Sequence, residues 1–220
     1  MISSLLTMLT LTGNPIAAFA PAADLLPVTL PEERLTELQE LAAAIAGGET
    51  SLVFICTHNS RRSHMAQLWA QAAAFHLGLN DVNTYSGGTE VTAFNPRAVA
   101  ALERAGWTAE IEGTADRNPV RRLSAAGVPA QPCWSKRYDD AANPQSGFIA
   151  VMTCSEADGA CPVVFGASAR FSLPYIDPKV SDGTPEESTA YDARSAQIAA
   201  EMLYVMQTAA RLRSAQSGTR

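Results

Sequence analysis

Apolar residues follow two rhythms along this chain, short unbroken runs and helical stripes, and their alternation predicts the architecture. Leu52-Val53-Phe54-Ile55 is continuous, as in a strand buried on both faces, and predicts a strand over 51–56. Met65, Leu68, Trp69, Ala72 and Phe75 recur at helical spacing and predict a helix over 63–78. A second strand is expected over 82–86, ended by Gly87-Gly88, and a helix over 95–105, opened by Asn95-Pro96. The region 108–146 shows no clear period and reads as irregular. Phe148 to Thr153 is another apolar run, a third strand, and residues 170–176 read as a fourth. Ile198, Met202 and Val205 share one face of a terminal helix over 188–213.

Ahead of this core, residues 31–47 predict a helix. Pro31, Glu32 and Glu33 suit its start, Leu35, Leu38, Leu41 and Ile45 form its stripe, and Gly47-Gly48 stops it. Residues 1–30 carry Pro15, Pro21 and Pro27 with Asp24 as their one charge, and read as an irregular, loosely packed arm. Strands alternating with helices imply an α/β fold: a mostly parallel four-stranded central sheet, helices on both faces and an N-terminal helical extension. The expected units are 1–50 as arm and helix, 51–213 as the main domain and 214–220 as a tail.

Composition narrows the function. The chain has 220 residues, 47% apolar and 17% charged, which is ordinary for a globular protein, and a net charge of −6. That balance favours neither nucleic acid nor an anionic membrane as partner, so any anion site must be local. Ala18-Phe19-Ala20 mimics a cleavage site, but no Lys or Arg precedes Arg34, so the basic flank of a secretory signal is missing. The expected compartment is the cytoplasm, where Cys56, Cys133, Cys154 and Cys161 would be free, metal-bound or redox-active.

The strongest chemical signal is Cys56-Thr57-His58-Asn59-Ser60-Arg61-Arg62-Ser63, between the first strand and the helix after it. A strand–loop–helix of this composition gathers backbone N–H groups, a guanidinium and a helix N-terminus around one small volume suited to a tetrahedral oxyanion. The same field favours the thiolate of Cys56, a nucleophile. Arg62 is expected to fork onto two ligand oxygens, Ser63 to donate to the thiolate, and Asn59 to take a left-handed turn. His58 lies in the loop and is a contact candidate, whereas Arg61 is read as solvated. His64 and His76 are read as packing or surface groups, Trp69, Trp107 and Cys133 as packing. The loop lacks the glycine–lysine pattern of nucleotide phosphate loops.

Two further places carry chemistry, and ligands in parallel sheets gather where they lie, beyond the C-terminal strand ends. Asp177, before Pro178, is expected in a semi-apolar pocket where a carboxylic acid keeps a proton for a leaving oxygen. Cys154 and Cys161 are separated by six residues, about 10.5 Å of rise on an intact helix. A disulfide needs Cα atoms within about 7 Å, so the segment must buckle to join them. Gly159, Ser155 and Pro162 make it deformable. Zinc and two inert thiols are the competing readings.

Together, Cys56 to Ser63, Tyr85-Ser86-Gly87-Gly88, Cys154 to Cys161 and Asp177-Pro178 resemble the low-molecular-weight protein-tyrosine-phosphatase superfamily, in particular its thioredoxin-coupled arsenate reductase branch. The resemblance covers roughly residues 51–213 and implies a relay of three thiols. Cys56 attacks arsenate, Asp177 protonates the departing oxygen, Cys154 attacks Cys56 to release arsenite, and Cys161 draws the disulfide onto Cys154 for thioredoxin to reduce. No cofactor or metal is implied. His58 stands where the family usually has glycine, Arg61 where it often has cysteine, and Gln67 where the branch often has glutamate. Lys179-Val180 follow the Asp-Pro pair, without the aromatic residues common in the tyrosine phosphatases. The alternatives are a phosphomonoesterase working through a Cys56 phosphoenzyme and a non-catalytic oxyanion or redox sensor.

Overall fold

Leu52 to Ile55 are all fully buried, and the strand they form, β1 (Ser51–Cys56), lies inside the main sheet. A computed structural model describes residues 14–114, 117–160 and 163–217. β1 pairs in parallel with β2 (Asn83–Gly88) on one side and β6 (Phe148–Met152) on the other, and β6 pairs in parallel with β7 (Ala167–Ser172). The order is β2-β1-β6-β7. Side chains alternate across this sheet. Leu52, Phe54, Ile149 and Val151 meet a large core built with α2 (Glu32–Ala46), α3 (Arg62–His76) and α6 (Glu187–Ser217). Val53, Ile55, Ala150 and Met152 meet a smaller core with Tyr138, Val164 and the short helix α5 (Ser155–Ala160). α4 (Pro96–Arg104) also packs on α6. The expected four-stranded parallel sheet with helices on both faces and an N-terminal helical part is the architecture observed.

Several expectations change. Residues 15–29 are helical rather than irregular: a 3-10 turn at Pro15–Phe19 leads into α1 (Ala20–Thr29). Pro21 sits in the first turn, where its missing N–H costs nothing, and Pro27 falls two residues before the end. The segment is firmly packed, with Ile16 and Ala23 fully buried and Phe19 edge-on to Trp69 at 5.1 Å.

The region read as irregular holds a second sheet of three antiparallel strands, β3 (Thr108–Glu112), β4 (Val120–Ala125) and β5 (Val128–Cys133). One face is open to solvent, and Leu123, Val128 and Cys133 alone are its buried side chains among the described residues, too few to show a period. Pro129 and Pro132 spoil the strand signal yet are tolerated because β5 is an edge strand.

The fourth strand lies earlier than 170–176, because Pro174 interrupts the ladder beyond Ser172. The chain still runs beside β6, with Leu173 N–H donating to Met152 O at 2.8 Å and Tyr175 N–H to Thr153 O at 3.1 Å. Gly87 and Gly88 are the last two residues of β2 rather than the stop that follows it. A Cβ on Gly87 would stand 2.3 Å from Tyr138 Cα. One on Gly88 would stand 2.5 Å from Glu90 O and 2.8 Å from both Asn59 N and Thr57 O. The glycines let neighbouring backbone close on the strand.

Candidate active site

The loop after β1 is held from outside by its carbonyls. Cys56 O accepts from Thr89 N at 3.2 Å, Thr57 O from Glu90 N at 2.8 Å, and Ser60 O from Asn95 N at 2.9 Å. His58 O accepts from Ser135 Oγ at 2.8 Å. In a trans peptide the N–H points opposite to the carbonyl, so outward carbonyls turn the following N–H groups toward the loop's centre. Asn59 takes the one left-handed non-glycine conformation among the described residues, φ 44°. Its carbonyl Oδ1 accepts from Lys136 N at 2.9 Å, and its Nδ2 donates to Ser63 Oγ at 2.9 Å. Ser63 Oγ lies 3.1 Å from Cys56 Sγ. Because Asn59 occupies a lone pair of Ser63, the Ser63 proton is free to point at the sulfur. Cys56 is 3% exposed, at the bottom of the loop.

Arg62 opens α3 and is buried. Its Nη1 donates to Tyr175 O at 2.8 Å, and its Nη2 donates to Asp177 Oδ2 at 3.0 Å. Asp177 Oδ1 accepts from Lys179 N at 3.1 Å, capping a 3-10 turn at Pro178–Ser181. The carboxyl therefore sits in ionic rather than semi-apolar surroundings, with Arg61 Nε a further 3.9 Å away. Arg61 is not solvated as its sequence context suggested. Its Nε donates to Tyr191 OH at 2.9 Å, and that hydroxyl donates to Asp182 Oδ1 at 2.9 Å. Burial, and then Asp182, push the Tyr191 phenol up to about 12, which keeps it a donor.

The remaining loop residues divide by direction. Ser60 Oγ donates to Ala93 O at 2.7 Å and braces the loop. His58 turns its imidazole to the rim, 3.3 Å from Glu90. Thr57 Oγ1 lies 3.5 Å from Cys154 Sγ, so the second thiol sits beside the residue that follows Cys56. Cys154 is buried, and its sulfur accepts from Ala157 N at 3.4 Å as α5 begins. Glu156 reaches toward Arg62 Nη1 at 3.9 Å. Its own backbone N–H lowers its pKa most, helped by Arg62 and Cys154. Asp158, farther along α5, is gripped by Arg170 and by Ser172 Oγ at 2.9 Å. Cys161 lies outside the described residues.

Cys133 packs in the large core, on the opposite face of the main sheet from Cys154. Burial pushes its thiol up to about 12. His64 is fully buried, stacked on Phe94 with ring centroids 4.0 Å apart, and its Nδ1 lies 3.1 Å from Ser86 Oγ. Burial, and then the Lys136 ammonium, hold its pKa well below the ordinary histidine value. Tyr175 went unnoticed in the sequence because its backbone carbonyl meets Arg62, and no side-chain motif encodes that contact.

Residues 51–112 match the model of the family described as low molecular weight phosphotyrosine protein phosphatase. The chain is 29% identical over 147 residues to an arsenate reductase of Bacillus licheniformis, covering 66% of this chain and 85% of that protein. It is likewise 29% identical over 143 residues to an arsenate reductase of Bacillus subtilis, covering 65% and 84%. Among solved structures, a YwlE mutant from Bacillus subtilis superposes with a TM-score of 0.50 at 18% identity, over 72% of this chain and 97% of that one. A low molecular weight protein tyrosine phosphatase from T. tengcongensis gives 0.50 at 17%, over 72% and 98%. The fold is that of the low-molecular-weight phosphatases, and the sequence is similar to arsenate reductases.

Proposed function

From a phosphatase-like fold and a sequence similar to arsenate reductases, we propose that this protein reduces arsenate to arsenite by a relay of Cys56, Cys154 and Cys161. The observation that carries the reading is the placement of Cys154, its sulfur 3.5 Å from the hydroxyl of Thr57, next in sequence to the nucleophile. Hydrolysis needs only Cys56, Arg62 and Asp177. A second buried thiol beside the loop serves a reaction that passes electrons.

Arsenate enters the loop, where inward N–H groups and Arg62 neutralise its charge. Its oxygens compete with Asp177 for Arg62 Nη2, and the displaced carboxyl then faces the departing oxygen. The Cys56 thiolate bonds to arsenic while the Asp177 carboxylate passes a proton from one hydroxyl of dihydrogen arsenate to another, which leaves as water. Thiolate and dihydrogen arsenate thus give the sulfur-bound arsenate dianion and water. Cys154 attacks Cys56 Sγ, which forms the Cys56–Cys154 disulfide and breaks the sulfur–arsenic bond. The bonding pair stays on arsenic, now As(III), and arsenite departs. Cys161 attacks Cys154, freeing the Cys56 thiolate and leaving Cys154–Cys161 oxidised. A thioredoxin-type dithiol reduces that bridge by exchange, which places the reaction in the reducing cytoplasm. No helix among the described residues is long and apolar enough to cross a membrane.

The test is steady-state turnover of arsenate with thioredoxin, thioredoxin reductase and NADPH, beside hydrolysis of an aryl phosphate. Arsenate-dependent NADPH consumption that vanishes in Cys56→Ser and Cys154→Ser supports the relay. Aryl-phosphate hydrolysis that needs Cys56 but not Cys154, with no arsenate turnover, makes the protein a phosphomonoesterase instead.

A further inference from the structure

Arg62 takes its bearing from a carbonyl, and that carbonyl belongs to a heavily anchored residue. Tyr175 is buried and held at three points. Its N–H donates to Thr153 O at 3.1 Å, its carbonyl accepts from Arg62 Nη1 at 2.8 Å, and its hydroxyl donates to Glu201 Oε2 at 2.9 Å. Glu201, on α6, is 0% exposed. Its Oε2 also accepts from Arg34 Nη2 at 2.7 Å, and its Oε1 accepts from Gln197 Nε2 at 2.9 Å. Arg34 comes from the first turn of α2, and its guanidinium carbon stands 4.8 Å from the centroid of the Tyr175 ring. Burial, and then the Glu201 carboxylate, hold the Tyr175 phenol well above its ordinary range, so it stays a donor.

A buried ion pair stabilises a fold little compared with an apolar replacement, but it fixes geometry and is costly to break. Here the fixed element is a loop two residues from the acid. We propose that Arg34, Tyr175 and Glu201 form a buried truss through which helix α2 sets the orientation of Arg62 and the placement of the Asp177 loop. All three are positioning residues, since none touches the reacting atoms with its side chain. α2 precedes residues 51–112, the stretch the family model matches, so a region outside that stretch becomes a working part of the site. The inference rests on the proposed function only in that Arg62 binds an oxyanion, which the reductase and hydrolase readings share.

The experiment follows alkylation of Cys56 by iodoacetamide in the full-length protein, by mass spectrometry of the Cys56 peptide, during titration with inorganic phosphate. The rate without phosphate normalises each variant, and protection by phosphate measures oxyanion affinity. Protection in the wild type tests the site, and the ratio of variant to wild type tests the truss. Tyr175→Phe and Glu201→Gln are each expected to weaken phosphate binding about five-fold, the order set by one lost hydrogen bond. Arg34→Lys, which keeps the cation, recovers most of the affinity that Arg34→Ala loses. A general loss of stability does not move an affinity measured on folded protein. Phosphate affinity equal to wild type in folded Tyr175→Phe overturns the proposal, as does Arg34→Lys performing no better than Arg34→Ala. Where Glu201→Gln fails to fold, Tyr175→Phe, which removes a single hydroxyl, decides.

Discussion

Replacing Asn59 separates three things that one side chain does at once. It holds a left-handed backbone at φ 44°, accepts from Lys136 N at 2.9 Å and donates to Ser63 Oγ at 2.9 Å. Alanine at this position keeps the left-handed strain, about 1 kcal/mol or more. It also loses two buried hydrogen bonds at about 1 kcal/mol each. Asn59→Ala should therefore destabilise by about 3 kcal/mol. Asn59→Gly removes the strain but not the two losses, and adds about 0.7 kcal/mol of unfolded-state entropy, so it should fall slightly short of alanine. Asn59→Asp is nearly isosteric, keeps the bond from Lys136 N, and reverses the other contact. A carboxylate accepts where the amide donated, so the Ser63 proton turns from Cys56 Sγ to the aspartate. Chemical denaturation gives the stabilities, and iodoacetamide alkylation of Cys56 at neutral pH gives the reactivity. Asn59→Asp is expected to fold and to alkylate at least several-fold more slowly, as a charge-assisted hydrogen bond to the thiolate is lost. Wild-type alkylation by Asn59→Asp would refute the reading that Asn59 aims Ser63 at the sulfur.

Asp177→Asn should slow the first chemical step by about 100-fold or more, the usual scale for losing a positioned acid, while phosphate still protects Cys56 from alkylation. Cys161→Ser should release about one arsenite per enzyme in a rapid-quench assay and then stop, because the Cys56–Cys154 disulfide has no internal resolving thiol. Cys133 should resist alkylation at pH 8.5 in the folded protein. Its raised folded-state pKa, about 12, contributes stability below the ordinary thiol value that is lost as pH rises toward 12. Cys133→Ala should flatten that alkaline decline in a denaturation series. His64 has the opposite sign: its depressed folded-state pKa contributes stability above the unfolded value near 6.5 that is lost as pH falls. His64→Gln, assayed by denaturation between about pH 4 and 7, should shed part of the acid sensitivity.

The sequence displayed the central sheet and the thiol loop because both are written in contiguous residues. Leu52 to Ile55 announce a strand buried on both faces, and Cys56 to Ser63 carry their chemistry within one turn. The second sheet escaped notice because β3 to β5 bury Leu123, Val128 and Cys133 alone on their inner face, while Pro129 and Pro132 argue against a strand. The helix at Ala20–Thr29 was hidden by Pro21, which falls in its first turn, and by Pro27, which stands inside it. Arg61 looked like a solvated neighbour of Arg62, because its partners Tyr191 and Asp182 lie more than a hundred residues away. The bond between Tyr175 and Glu201 spans 26 residues, from a loop to α6, and no local pattern marks it.

Gly88 has a consequence for how such a site can diversify. Behind the thiol loop stands bare main chain, and any side chain there would strike Glu90 O, Asn59 N and Thr57 O, none of which can swing aside. The rear wall is thus closed to tuning by mutation, and ligand preference can shift only from the front. There His58 is half-exposed and Ile176 and Val180 are open to solvent. Libraries seeking a new oxyanion substrate should vary those three rim positions and leave the glycine untouched.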